Sequence, residues 1–152
     1  PPISTLPASS AASYVYYRQV EEKDRSFCFA SSSNDNLAFT IEVACDTKEP
    51  YAVTDAAYRS LIKLLVDICK RNGIKELKWK GDKSLIGQVD KQNMTVHRWF
   101  ANKSCPGEYL YSRHGQIAAE VNAYLKGSPS NSSTTKSETL YRVQVGAFSK
   151  KE

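Results

Sequence analysis

Val96-His97-Arg98-Trp99-Phe100-Ala101-Asn102-Lys103-Ser104-Cys105-Pro106-Gly107 is the stretch of this chain with the densest chemistry. It holds an imidazole, an ammonium and a thiol in the nine residues from His97 to Cys105. Neutral imidazole and thiolate both bind a borderline-soft cation such as zinc. Lys103 stands two residues before the cysteine, where a strong donor can face whatever the metal polarises. Pro106-Gly107 ends the segment at once and fixes the direction of Cys105. The chemistry indicated is a catalytic zinc site, which needs a third protein ligand and one open position.

Glu42 is the second residue of interest. It interrupts Leu37-Ala38-Phe39-Thr40-Ile41-Glu42-Val43-Ala44-Cys45, a nearly continuous apolar run that reads as a strand covered on both faces. A carboxylate there is costly unless it is paired or hydrogen-bonded. Two roles stay open. Glu42 is either one half of a salt bridge to a helix or loop, or a general base with its pKa tuned upward by burial. In the second role it takes a proton from zinc-bound water, and Lys103 stabilises the oxyanion that develops on the carbonyl.

The remaining elements are those that must position these groups. Tyr14-Val15-Tyr16-Tyr17 reads as a short strand, and Phe27-Cys28-Phe29 as a brief apolar segment. Thr54 caps a helix with Asp55 in its first turn, and Tyr58, Leu61, Ile62, Leu65, Ile68 and Cys69 recur at helical spacing. Asn72-Gly73 ends that helix. A short strand is expected over Ile74 to Trp79, a loop over Gly81 to Asn93, and a strand end at Met94-Thr95-Val96. A second helix is expected over about Ser112 to Leu125, with Ile117, Val121 and Tyr124 or Leu125 inward. Composition changes after Lys126. Residues 127–139 are rich in Ser, Thr, Asn and Pro and read as a flexible linker. Within 140–152, Leu140 to Phe148 alternates like a strand.

Bulk properties narrow the classes. A chain of 152 residues with 41% hydrophobic residues supports one ordinary domain. A formal charge of +5 favours an anionic partner, such as a wall polymer, nucleic acid or an anionic membrane. The basic residues are scattered and form no aromatic-and-basic stripe, so nucleic acid is not expected. Cys28, Cys45, Cys69 and Cys105 include no CxxC pair. Cys45 and Cys69 are read as small core residues. No run reaches the roughly 18 apolar residues of a membrane span, so insertion into a membrane is not expected.

The His97 to Gly107 block, with Ile41-Glu42 upstream, resembles the zinc-dependent N-acetylmuramoyl-L-alanine amidases of type 2, whose fold peptidoglycan recognition proteins share. The likeness is strongest to the clostridial and phage endolysin branch, where cysteine replaces an aspartate ligand. Residues 21–27 and 34–46 are similar too, and the resemblance spans roughly residues 14 to 125. It implies an α/β fold with a mixed central sheet flanked by helices, filling residues 1–126. It makes His97 and Cys105 ligands of Zn2+, Glu42 the acid-base residue and Lys103 the transition-state stabiliser. The implied reaction is hydrolysis of the amide between N-acetylmuramic acid and L-alanine. The implied partner is bacterial peptidoglycan, met by a monomer that is secreted, wall-associated, or cytoplasmic until lysis if phage-encoded. The strand in 140–152 resembles the opening of a sporulation-related repeat domain, whose members bind glycan strands stripped of peptide.

One family feature has no counterpart. The family's first zinc-ligand histidine precedes the segment matching Tyr14 to Tyr17, and Pro1 to Ser13 contains no histidine. The third ligand is therefore expected from residues outside this sequence, before Pro1 or between Leu6 and Tyr14. His114, the other histidine, corresponds to a surface helix start and is not expected to bind metal. The alternative is a peptidoglycan-binding module with a degenerate, inactive metal site.

Overall fold

A computed structural model describes residues 37–127 and 142–148 of the chain. The expectations for Tyr14–Tyr17, Phe27–Phe29 and almost all of the linker lie outside the described residues. The order of elements is β1 (Ala38–Ala44), α1 (Asp55–Arg71), β2 (Met94–Thr95), α2 (Gly107–Tyr111), α3 (His114–Lys126) and β3 (Arg142–Phe148). Single 3-10 turns occur at Lys83–Leu85 and His97–Trp99. Helix and strand are thus mixed, in keeping with an α/β class.

β1 alternates rather than being covered on both faces as expected. Phe39, Ile41 and Val43 are buried, while Glu42 and Ala44 are exposed. Successive strand residues point to opposite faces, and one face of β1 packs into the core. That core also takes Leu61, Ile62, Leu65, Ile68 and Cys69 from α1, Met94 from β2, and Ile117, Ala118 and Val121 from α3.

α1 starts and stops where the sequence indicates. Thr54 Oγ1 accepts from the Ala57 N–H at 3.2 Å, satisfying a donor that the first turn leaves orphaned. Gly73, at φ +69°, carries the chain out of the helix. Cys69 is fully buried, and burial pushes its thiol up to about 12, which suits an inert packing residue rather than a ligand. Cys45 is half-buried, and its thiol is raised by burial and by the neighbouring Asp46 charge. α3 faces the core with Ile117, Ala118 and Val121, and Leu125 packs on that core while Tyr124 is exposed.

Residues 74–79 are not a strand. Their backbone groups are met by side-chain amides instead of a ladder. Asn93 Oδ1 accepts from Lys78 N–H at 2.7 Å and Asn93 Nδ2 donates to Glu76 C=O at 2.8 Å. Asn122 of α3 does the same for both backbone groups of Leu77, at 2.8 Å each. Gln92 continues the pattern on Lys80 N–H and Asp82 C=O, at 2.9 and 2.8 Å. These amides meet the backbone of Glu76, Leu77 and Lys78 where a ladder otherwise would, without the periodicity that a strand imprints on sequence.

β3 pairs in parallel with β1 and with β2, giving the order β1-β3-β2. The sequence left this strand without partners, and here it lies between β1 and β2. In register, Thr40 of β1, Gln144 of β3 and Thr95 of β2 form one row, and Glu42 stands opposite Gly146.

Candidate metal centre

The candidate centre lies just beyond β2, at the carboxyl end of a parallel strand, where open α/β sheets place their ligands. Val96 is extended, with φ −135° and ψ 150°, and His97 opens the 3-10 turn. His97 thus follows β2 by one extended residue. On β1, Glu42 is two residues past Thr40, the row partner of Thr95, just as His97 is two past Thr95. Glu42 and His97 thus each lie two residues past the Thr40-Gln144-Thr95 row, on segments separated by β3, with the β2 pairing ending at Thr95.

The loop after His97 closes tightly. Phe100 N–H donates to His97 C=O at 2.9 Å, and Lys103 N–H donates to Ala101 C=O at 2.8 Å. Gly107 N–H donates to Ser104 C=O at 2.7 Å. The Arg98 N–H donates to Cys105 C=O at 3.0 Å, which brings the residue after His97 against Cys105 itself. The two expected ligands, eight positions apart in sequence, thus belong to one closed loop.

His97 is half-buried, and its Nε2 is buried with no hydrogen-bond partner among the described residues. A buried ring nitrogen left so is costly, and ligation of a cation would satisfy it. Cys105 is half-buried. An imidazole nitrogen and a thiol fit zinc, and they supply two of the three ligands a catalytic site requires. Among the described residues no group of three His, Cys, Asp or Glu side chains is gathered to hold a metal. Lys103 and Glu42 are both exposed. The expectation that burial makes Glu42 costly is therefore not met, since Glu42 is exposed.

Three features of the site were not anticipated. Arg98 spans the loop: Nη2 donates to Ser104 C=O at 2.7 Å, and Nη1 pairs with Glu108 Oε2 at 3.2 Å. Tyr51 adopts φ +58°, rare for a side chain of its size, and packs against Gly107. His114 is fully buried, contrary to the surface position expected of it. Its Nδ1 lies 2.6 Å from Leu110 C=O, and its ring packs 4.6 Å from that of Trp79. Trp79 in turn stacks on Trp99, with centroids 5.0 Å apart and planes 2° from parallel. This aromatic pile supports the 3-10 turn that begins at His97. The flanking tryptophans of the sequence were a signal for it, and the φ of Tyr51 had none.

No described helix is long and apolar enough to cross a membrane. The chain matches no family model, no curated protein and no solved structure among those compared with it.

Proposed function

We propose that this chain is a type 2 N-acetylmuramoyl-L-alanine amidase, hydrolysing the amide between N-acetylmuramic acid and L-alanine in bacterial peptidoglycan. In this reading the fold is the amidase fold, a mixed central sheet flanked by helices. The protein meets its substrate as a monomer, secreted or wall-associated, or after lysis if phage-encoded. The observation that carries the reading is the buried Nε2 of His97, unpartnered among the described residues, in a loop closed onto Cys105. His97 and Cys105 would hold zinc together with a third ligand from elsewhere. Bound zinc supplies Lewis acidity toward the scissile carbonyl and lowers the pKa of water toward neutrality.

The chain's own groups then divide the work. Glu42, exposed on β1, takes the proton from the attacking water and passes it to the leaving amine. Lys103, in the same loop as both ligands, donates to the developing oxyanion. The net charge of +5 favours approach to an anionic wall.

The test is release of stem peptide from purified peptidoglycan, with zinc content measured alongside for the parent and for Cys105→Ser. Release by the parent, with zinc and activity lost together in the variant, is expected. Equal zinc content in the two proteins would remove Cys105 from the centre. Tight binding to peptidoglycan without any release would replace the enzyme by a wall-binding module.

A further inference from the structure

We propose that Arg98 is the positioning residue for the ligand pair, setting the separation of His97 and Cys105 through a fork that grips both sides of the cysteine. The inference rests on the reading of those two residues as metal ligands and adds a role for the side chain between them and the rest of the loop.

The contacts of Arg98 are unusually spread. Its backbone N–H reaches Cys105 C=O at 3.0 Å. Its Nη2 reaches Ser104 C=O, the residue before the cysteine, at 2.7 Å. Its Nη1 reaches Glu108, three residues after the cysteine, at 3.2 Å. The guanidinium lies 4.3 Å over the ring of Tyr111 at the end of α2. A residue adjacent to one ligand therefore fastens the chain before, at and after the other.

The chemistry of the fork explains why arginine stands there. A planar guanidinium serves a carbonyl and a carboxylate at once and stacks on an aromatic face, whereas an ammonium is a single point charge. Glu108 is largely exposed, so its ion pair adds little by itself. The short bond to Ser104 C=O, from a half-buried guanidinium, holds the loop. Groups that orient ligands from behind commonly change metal affinity about 10- to 100-fold when removed.

Arg113 provides an internal control. It makes the same kinds of contact, donating to Tyr109 C=O at 3.0 Å with its guanidinium 3.8 Å over the Tyr109 ring, and its hydrogen bonds among the described residues stay within 109–117. Zinc affinity is measured by competition with a chromophoric chelator for the parent, Arg98→Gln, Arg98→Lys and Arg113→Gln. Melting temperatures are recorded for each. Both Arg98 variants should bind zinc about 10- to 100-fold more weakly, and Arg113→Gln should bind as the parent does even where its melting temperature falls equally. Unchanged affinity in the Arg98 variants overturns the inference, as does an equal loss in Arg113→Gln. Should Arg98→Gln fail to fold, Arg98→Lys, which keeps charge and bulk, decides the matter. No zinc uptake by the parent would overturn the metal-centre reading itself, and this inference with it.

Discussion

Gly107 lies so close to Tyr51 that a Cβ built on the glycine would fall 2.8 Å from Tyr51 Cβ and 3.2 Å from Pro50 C=O. The loop that follows β1 and the loop that carries Cys105 are fitted to one another at this point. Tyr109 N–H donates to Pro50 C=O at 3.0 Å and seals the contact. Gly107 also sits at φ +79°, which disfavours any side chain. Gly107→Ala should therefore cost about 2–4 kcal/mol, overpacking and the left-handed backbone combined. Urea unfolding of the variant measures this, and a loss below about 0.5 kcal/mol, the scale of an ordinary surface change, would contradict the fit.

Glu42 and Lys103 are exposed, so their removal should affect turnover and leave the fold alone. Glu42→Ala and Lys103→Ala are expected to lower turnover on soluble muropeptides by about 100-fold or more. Zinc content should be unchanged, and stability should move by less than about 0.5 kcal/mol. Full activity in Glu42→Ala would reduce the glutamate to a solvated strand residue.

Cys69 makes stability depend on alkaline pH. Its thiol, ordinarily at 9.0, is held near 12 by burial in the folded chain. The native state therefore keeps a proton that the unfolded state loses, and the contribution is complete below the ordinary value. It falls as pH rises from there toward 12. Unfolding midpoints at about pH 8 and about pH 10.5, on either side of the ordinary value, should differ more for the parent than for Cys69→Ala. Tyr58 acts the same way at higher pH. Burial first, then Glu120, pushes its phenol from 10.0 up to about 12, and Tyr58→Phe should remove that part of the loss.

Asn93 tests how residues 76–78 are held. Asn93→Ala leaves Lys78 N–H and Glu76 C=O without the amide that meets each of them. Loss of about 2–4 kcal/mol is expected, from two unsatisfied backbone groups. Hydrogen exchange at Lys78 should quicken. An unchanged exchange rate would mean that solvent meets these groups equally well.

A chain ending at Lys126 separates two views of the C-terminal strand. As the opening of another domain, residues 140–152 are dispensable for folding. As β3, paired along Arg142–Phe148 with β1, they hold the sheet together. The pairing leads us to expect that the shortened chain loses cooperative thermal unfolding. A sharp, parent-like transition would instead detach the strand from this unit.

Legibility from sequence followed the physical strength of each signal. The cap at Thr54, the apolar faces of α1 and α3 and the inertness of Cys69 were legible, because periodicity and burial leave marks on sequence. The amide-held stretch at 74–79 was not, since Gln92, Asn93 and Asn122 satisfy its backbone from a distance in sequence. The exposure of Glu42 was missed because an apolar run does not reveal whether a second layer covers it. At the candidate centre His97 and Cys105 stand out by type and spacing, and the structure joins them in one closed loop. The fork of Arg98 and the close approach of Tyr51 depend on loop closure, which local sequence does not encode.

The side-chain amides beside β2 have a further bearing, on self-association. Among the described residues β2 ends the order β1-β3-β2, and an end strand ordinarily offers its backbone to a passing chain. Asn93 N–H instead donates to Lys78 C=O at 3.2 Å, and beyond it the next length of backbone is finished by the amides of Asn93 and Asn122. At Glu76, Leu77 and Lys78 the backbone is terminated by these side chains, so that stretch gives a second molecule little to copy. Hydrolysis of the Asn93 amide to a carboxylate would remove the donor to Glu76 C=O and leave that carbonyl open to a donor from another molecule.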